Sequence, residues 1–400
     1  MTDRPEESSP PTTDLDRRQF LGRAALGLVA ATLTPALAQS LAPTEKPSTP
    51  PEERSPLPED QRVGYAIIGL GAISLGQMMP AIRESKRSRI TALVSGDPAK
   101  ARKVAQQYGV DPSSIYTYDT FDQIRDNPAV QAVYIALPNS MHREYTERAA
   151  RAGKHVLTEK PMTVSPEDAQ AMIDACARAG VKLMVAYRAH FEPRHVEAAR
   201  LTQAHAFGRP KIIQGEFVQN MGDPEQWRLK RALAGGGALP DIGLYPLNFA
   251  SYVLNEQPSS VVANIYSTPG DPRFREVEES VGFSLRFPSG VLAQISTSYG
   301  AHRSGRFRVM SERGWTDLNP AFQYEGNQLS VGRRVGQQEG TEQRTVENKN
   351  QFTLEVDHFS QAVREHTPLK TPGEMGLQDH RIMAAIYRSA QEGRSIPLDG

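Results

Sequence analysis

The chain has 400 residues, in which 46 Lys and Arg balance 46 Asp and Glu. With no net charge and no long basic run, nucleic acid is not an expected partner. The single cysteine, Cys176, excludes an intrachain disulfide, and the length allows two domains with cores of their own.

Residues 1–38 read as an export leader. Arg17 and Arg18 head the stretch RRQFL, a short apolar run follows over 24–33, and Ala36-Leu37-Ala38 has the small-x-small pattern of a cleavage site. That run is about half the roughly 20 residues that span a bilayer, so no permanent membrane anchor is expected. The arginine pair followed by Gln-Phe-Leu resembles a twin-arginine signal, which implies the twin-arginine export machinery as a partner and a periplasmic location. Residues 39–61, dense in Pro, charge and Ser/Thr, cannot bury a core and are expected to form an extended arm.

From residue 62 the pattern changes. An apolar run over 65–68 ends in Gly69-Leu70-Gly71, and 73–82 has helical character. Apolar segments at 90–94, 132–137, 155–158 and 182–186 alternate with helices predicted at 98–108 and 141–152. A further helix opens at Ser165-Pro166-Glu167-Asp168 and stops at Gly180, as capping chemistry prefers. This alternation predicts an α/β fold, a doubly wound parallel Rossmann sheet over 62–186. Cys176 falls in that last helix and reads as a core residue.

Beyond about residue 210 the segments 212–217, 260–267, 282–287, 291–298 and 307–310 alternate apolar with polar residues, joined by Gly and Pro. That pattern predicts a large, mostly antiparallel sheet with one packed face. Residues 187–400 are therefore read as an α+β domain for substrate binding and oligomerisation. Its last helix, predicted over 378–391, is a candidate to pack on the Rossmann domain. A homo-oligomer, dimer or tetramer, is expected. No metal-ligand cluster stands out.

Gly69-x-Gly71 lies between a strand and a helix, where a dinucleotide fingerprint belongs: the first glycine makes the turn and the second admits the pyrophosphate. Ser74 occupies the third position in place of Gly or Ala. After the second strand, Ser95 is neutral and Lys100 is cationic, a pairing that suits the 2′-phosphate of NADP. Asp97 is the competing candidate, since a shift of the turn would aim it at a ribose, as in NAD sites.

Alcohol oxidation also needs a proton acceptor. In GGGALPDIGLY, Asp241 and Tyr245 are four apart and share a face if a helix starts there. A tyrosine needs a nearby cation to take a proton near neutrality, and Lys160 can serve. On their own these residues also admit a structural reading, with Asp241 as a helix cap, Tyr245 in the core and Lys160 on the surface.

Glu159-Lys160-Pro161, preceded by AGKHVL, resembles the Gfo/Idh/MocA oxidoreductase family, and the likeness extends through YIALPNSMH and QWRLKRALAGGGALPDIGLYPLN. Many relatives carry histidine where Tyr245 stands; tyrosine is similar to the glucose–fructose oxidoreductase branch. The resemblance implies Tyr245 as acid/base with Lys160 and Asp241 beside it. It places Leu137, Pro138, Asn139 and His142 on the nicotinamide side. Glu159, Arg188, Trp227, Arg228 and Tyr324 are implied in the cofactor surroundings, although Trp227 also reads as a domain-interface anchor. The implied activity is oxidation of an aldose to its lactone and reduction of a second sugar with tightly bound NADP. An exported enzyme has no cytoplasmic pool to draw on, so regenerating the cofactor in place reconciles leader and fold. The alternative is a conventional NADP-dependent aldose 1-dehydrogenase that releases NADPH.

Overall fold

The structure, a computed structural model, describes residues 56–398. The leader and the arm up to residue 55 lie outside the described residues.

Six parallel strands form the first sheet: β1 (Val63–Ile68), β2 (Ser88–Val94), β3 (Ile115–Tyr116), β4 (Ala132–Ile135), β5 (His155–Glu159) and β6 (Leu183–Ala186). Their order is β3-β2-β1-β4-β5-β6. β1, β4 and β6 are buried along their whole length, which is why they read as unbroken apolar runs. Between them run α1 (Met79–Glu84), α2 (Pro98–Tyr108), α3 (His142–Arg151) and α4 (Pro166–Ala179). Ser165 caps α4 by accepting from the Asp168 amide at 3.1 Å, and Gly180 ends it at φ +65°. The Cys176 thiol is buried in α4 and pushed up to about 12 by that burial, as a core residue should be.

The order in which strands are added reverses between β1 and β4: the chain builds outward to β3 on one side and then from β4 to β6 on the other. In an open parallel sheet this switch point is where loops diverge and leave a crevice for a ligand. The loops that follow these two strands carry Gly69–Gly71 and residues 136–139.

After α5 (Pro193–Gln203) comes a nine-stranded sheet. Its strands are β7 (Pro210–Asn220), β8 (Ser260–Tyr266), β9 (Ser280–Arg286), β10 (Leu292–Ser298), β11 (Gly300–Ser311), β12 (Gly314–Leu318), β13 (Leu329–Val335), β14 (Gln338–Gln343) and β15 (Ile396–Pro397), in the order β14-β13-β12-β11-β7-β10-β9-β8-β15. Only the pairing of β7 with β10 is parallel. β9 and β10 alternate buried and exposed residues, so one face packs and the other is open. The packed face covers α6 (Leu244–Leu254), the helix that carries Tyr245.

The last two helices, α7 (Gln351–Glu365) and α8 (Gly373–Glu392), return to the first sheet. On α7, Ser360 hydrogen-bonds the Tyr65 hydroxyl at 2.7 Å, and Phe359 packs beside that ring. On α8, His380 accepts from the Thr163 amide at 3.2 Å, and just before it Thr371 donates to the Val185 carbonyl at 2.7 Å. α8 begins five residues earlier than the sequence suggested, and its first turn packs so closely that a Cβ on Gly373 or Gly376 would meet Leu183 at 2.9 Å or Met162 at 2.6 Å.

Candidate active site

Gly69 sits at φ +89°, and a Cβ there would meet the Ala136 carbonyl oxygen at 2.4 Å. Only glycine fits. Gly71 is the opposite case: a Cβ there would meet no protein atom within 4 Å. Its bare backbone thus faces open space at the switch point, as a pyrophosphate cradle requires. Ser74, where a third glycine was missing, is fully buried and donates to the Gly69 carbonyl at 2.6 Å, so its side chain closes the turn. The helix that follows opens with a π-turn over Ser74–Met78.

At the end of β2, Ser95 is buried and its hydroxyl accepts from the Asp97 amide at 3.1 Å. The Asp97 carboxylate turns inward to cap α2, accepting from the Ala99 and Lys100 amides at 3.0 Å each. The competing carboxylate is therefore engaged in its own helix, while Lys100 is exposed on the first turn.

The residues expected on the nicotinamide side gather where β4 and β5 end. Leu137 flanks Gly69, and Pro138 leads into the short turn Asn139–Met141. Asn139 is buried and donates to the Ala234 carbonyl at 2.9 Å. The fully buried His142 ring places Nε2 2.9 Å from the Leu137 carbonyl and Nδ1 3.1 Å from the Pro161 carbonyl, tying two loops together. Burial lowers its pKa against the pull of those carbonyls. Glu159 accepts from the Tyr134 hydroxyl at 2.6 Å, and burial raises its carboxyl against Tyr134, Lys160 and Arg188.

The Lys160–Asp241–Tyr245 group forms around a glycine-bounded turn. A Cβ on Gly235, Gly236 or Gly237 would strike Val164, the Tyr387 hydroxyl or the Glu278 carbonyl within 3.0 Å, so side chains are excluded along this stretch. The chain then forms a π-turn, Leu239–Gly243, before α6. This brings Asp241 and Tyr245 to Lys160. The Lys160 ammonium donates to the Asp241 carbonyl at 2.7 Å and to its Oδ1 at 2.9 Å. Oδ2 accepts from the buried Tyr299 hydroxyl at 2.6 Å and faces Arg228 Nε at 3.3 Å. Burial would raise the Asp241 carboxyl, but Lys160, Arg228 and these hydrogen bonds hold it well below the carboxylate range. Burial would lower Lys160, but Asp241 above all keeps it raised. Arg228 also stacks on the Trp227 ring at 4.4 Å.

Lys160 was expected close to Tyr245, where its charge favours phenolate. Its hydrogen bonds go to Asp241, and its Nζ lies over the face of the Tyr245 ring, 4.7 Å from the centroid, near enough for Tyr245 to help Asp241 keep the ammonium charged. The group on the hydroxyl is Arg188, whose Nε donates to it at 3.0 Å. The Arg188 guanidinium stacks on Tyr245 at 4.4 Å and on the half-exposed Tyr324 at 4.7 Å. Neither Tyr299 nor the carbonyls that hold Arg188 were singled out from sequence. Tyr299 stands 58 residues from Asp241, and no local spacing signals such a pair. Among the described residues no group of three His, Cys, Asp or Glu is placed to hold a metal ion, and no helix is long and apolar enough to cross a membrane.

Residues 63–187 match the model of an oxidoreductase family with a NAD-binding Rossmann fold, and 195–317 match the GFO/IDH/MocA C-terminal domain. The chain belongs to the Gfo/Idh/MocA oxidoreductase family. The D-xylose 1-dehydrogenase [NADP(+)] of Haloarcula marismortui is 32% identical over 345 residues, 85% of this chain and 94% of that one. Among solved structures, the aldose-aldose oxidoreductase from Caulobacter crescentus, complexed with glycerol, is 43% identical; the match covers 84% of this chain and all of that one, with a TM-score of 0.81. Levoglucosan dehydrogenase in complex with NADH and L-sorbose shares the fold at 22% identity, with a TM-score of 0.74 over 85% of this chain and 99% of that one.

Proposed function

We propose that this protein is an NADP-containing sugar oxidoreductase that oxidises one aldose to its lactone and reduces a second sugar in the same site, keeping its cofactor between the two halves. The observation that carries this reading is the 43% identity to an aldose-aldose oxidoreductase across that protein's whole length. The site chemistry supports it. Gly69, Gly71, Ser95 and Lys100 would hold the dinucleotide, with Ser95 and Lys100 favouring the 2′-phosphate while Asp97 is occupied as a helix cap. The nicotinamide, when bound, supplies the hydride acceptor and donor.

The protein's own part is proton transfer and orientation. Tyr245 takes the proton of the sugar's C1 hydroxyl as the C1–H bond breaks and the lactone carbonyl forms. In the second half it returns that proton to the carbonyl oxygen of the acceptor. The proton is thus conserved over the cycle, and one carrier serves both directions. Asp241, ionised and fixed by Lys160 and Tyr299, orients sugar hydroxyls.

The twin-arginine-like leader supports export to the periplasm, where retention of the cofactor has its use. Apolar side chains on the open sheet face support a homo-oligomer: Ile212 and Leu292 stand beside each other on paired strands, 40% and 50% exposed, with Val262 at 46%.

A second reading, an NADP-dependent aldose 1-dehydrogenase that releases NADPH, is favoured by the full-length match to D-xylose 1-dehydrogenase. One experiment separates them. Protein freed of small molecules, with no cofactor added, is given a mixture of two aldoses. The proposed reading expects lactone and alditol in equal amounts over many turnovers. The dehydrogenase reading expects oxidation to stop within one equivalent until NADP is supplied.

A further inference from the structure

We propose that Arg188 is a catalytic residue: its guanidinium, rather than the Lys160 ammonium, is the cation that prepares the Tyr245 oxygen to accept the substrate's proton. The inference rests on the reading of Tyr245 as the proton carrier.

The acceptors of their hydrogen bonds separate the two cations. Lys160 is matched by Asp241, which accepts its hydrogen bonds at 2.7 and 2.9 Å. Arg188 has no such partner. Nη1 donates to the Gln323 carbonyl at 3.1 Å and to Gln351 Oε1 at 2.9 Å, and Nη2 donates to the Phe322 carbonyl at 2.7 Å. All three acceptors are neutral. Arg188 is 4% exposed, and a guanidinium stays protonated under any physiological condition. A buried cation held only by neutral groups is costly unless an anion pairs with it at some stage. The remaining hydrogen bond of the guanidinium among the described residues runs from Nε to the Tyr245 hydroxyl at 3.0 Å. Phenolate at that position completes the pair with a charge-assisted hydrogen bond.

The other charged and titratable groups around this pair leave the assignment intact. Glu159 on β5 and Glu355 on α7 lie within electrostatic reach of the guanidinium but accept none of its hydrogen bonds; burial raises both carboxyls while Arg188 pulls both down. Glu355 is fully buried, with no hydrogen-bond partner on either oxygen. His195 on α5 is shifted by burial toward its neutral form, and Arg228 lies with Asp241. Tyr324 covers the guanidinium from the other side.

The backbone that holds Arg188 is itself unusual. Phe322 adopts φ +60° while 1% exposed, a conformation that bulky L-residues rarely take. Such a residue persists where its surroundings enforce it, and here the turn presents the Phe322 and Gln323 carbonyls to the guanidinium. The fork is thereby fixed with Nε aimed at Tyr245. A donated N–H also occupies one lone pair of the phenol, so its own proton points elsewhere. During oxidation the proton moves from the sugar's C1 hydroxyl to the Tyr245 oxygen, and during reduction it moves back. Arg188 keeps all its protons throughout.

The test is the pH dependence of turnover in Arg188→Gln and Arg188→Lys, measured beside Tyr245→Phe, with melting temperature and bound-cofactor content recorded for each. Removing a neighbouring opposite charge raises an acid's pKa by roughly 1–3 units, so the acid-side limb of Arg188→Gln should move up by about that much. Arg188→Lys keeps a charge but loses the fork, and its limb should lie between. If Arg188→Gln does not fold, an upward shift in Arg188→Lys carries the test. A limb unchanged from the parent protein in a folded Arg188 variant, even one with lower turnover, overturns the proposal. If Tyr245→Phe retains the parent rate, the proton-carrier reading itself fails. An inactive Tyr245→Phe with an unshifted Arg188 limb removes the Arg188 role alone.

Discussion

The Lys160 ammonium meets Asp241 twice, at 2.7 Å on its carbonyl oxygen and at 2.9 Å on its carboxylate. One residue thus fixes both the backbone of the π-turn before α6 and the side chain that projects from it.

The Lys160–Asp241 pair should behave asymmetrically when cut. Asp241→Asn leaves Lys160 buried without a counter-charge and should destabilise by roughly 3–5 kcal/mol. Lys160→Met should cost less than this, because Arg228 and Tyr299 still serve the carboxylate. Denaturant titrations of the two variants check the order. The pH dependence follows from the shifts. Asp241, with its pKa depressed, contributes stability above the ordinary carboxylate value and loses it only as pH falls through its much lower folded value. Lys160, with its pKa raised, contributes below the ordinary lysine value and loses it as pH climbs through a higher one. Stability from the pair should therefore be flat between about pH 4 and pH 10.

Gly69 and Gly71 should respond differently to the same change. Gly69→Ala forces a methyl onto the Ala136 carbonyl at a positive φ, so soluble, folded protein should be lost. Gly71→Ala meets no protein atom and should leave the cofactor-free melting temperature nearly unchanged, while dinucleotide affinity falls. Melting curves with and without NADP measure both effects.

Ser95 and Asp97 divide two tasks in one turn. Ser95→Asp should weaken NADP and improve NAD, since a carboxylate repels the 2′-phosphate. Asp97→Ala should cost about 1 kcal/mol of stability through the lost cap and leave the NADP-to-NAD ratio unaltered. Dissociation constants for both cofactors check the pair, and a changed ratio in Asp97→Ala would place that carboxylate at the ribose.

Much of this site is legible in the sequence because its chemistry is local. Gly69-x-Gly71 after an apolar run, Ser165 before Pro166, and Asp241 four residues before Tyr245 each depend on short spacings. What escaped reading depends on distance or on missing pattern. β14, QEGTEQ, is an exposed edge strand without a single apolar residue, so no alternation betrays it. The buried face of α5 mixes His195 and Thr202 with Ala198, Ala199 and Leu201, which gives a weak helical stripe. Arg188 was placed near the cofactor by resemblance; its bond to Tyr245, 57 residues away, arises only when the turn after β6 meets α6.

The leader makes a separate prediction. Exchanging Arg17 and Arg18 for lysines should hold a folded precursor in the cytoplasm, detected by fractionation and by its unprocessed mass. Undiminished export of that variant would indicate the general secretory route.

The most direct test of the central claim is Tyr245→Phe, assayed separately for sugar oxidation and for carbonyl reduction in single turnovers. The substitution keeps the ring between Phe217 and Phe322 and removes only the hydroxyl. Both half-reactions should fall together, by roughly 10²–10⁴. Cofactor content should stay at the parent level. A variant that still performs either half-reaction at close to the parent rate would contradict Tyr245 as the proton carrier.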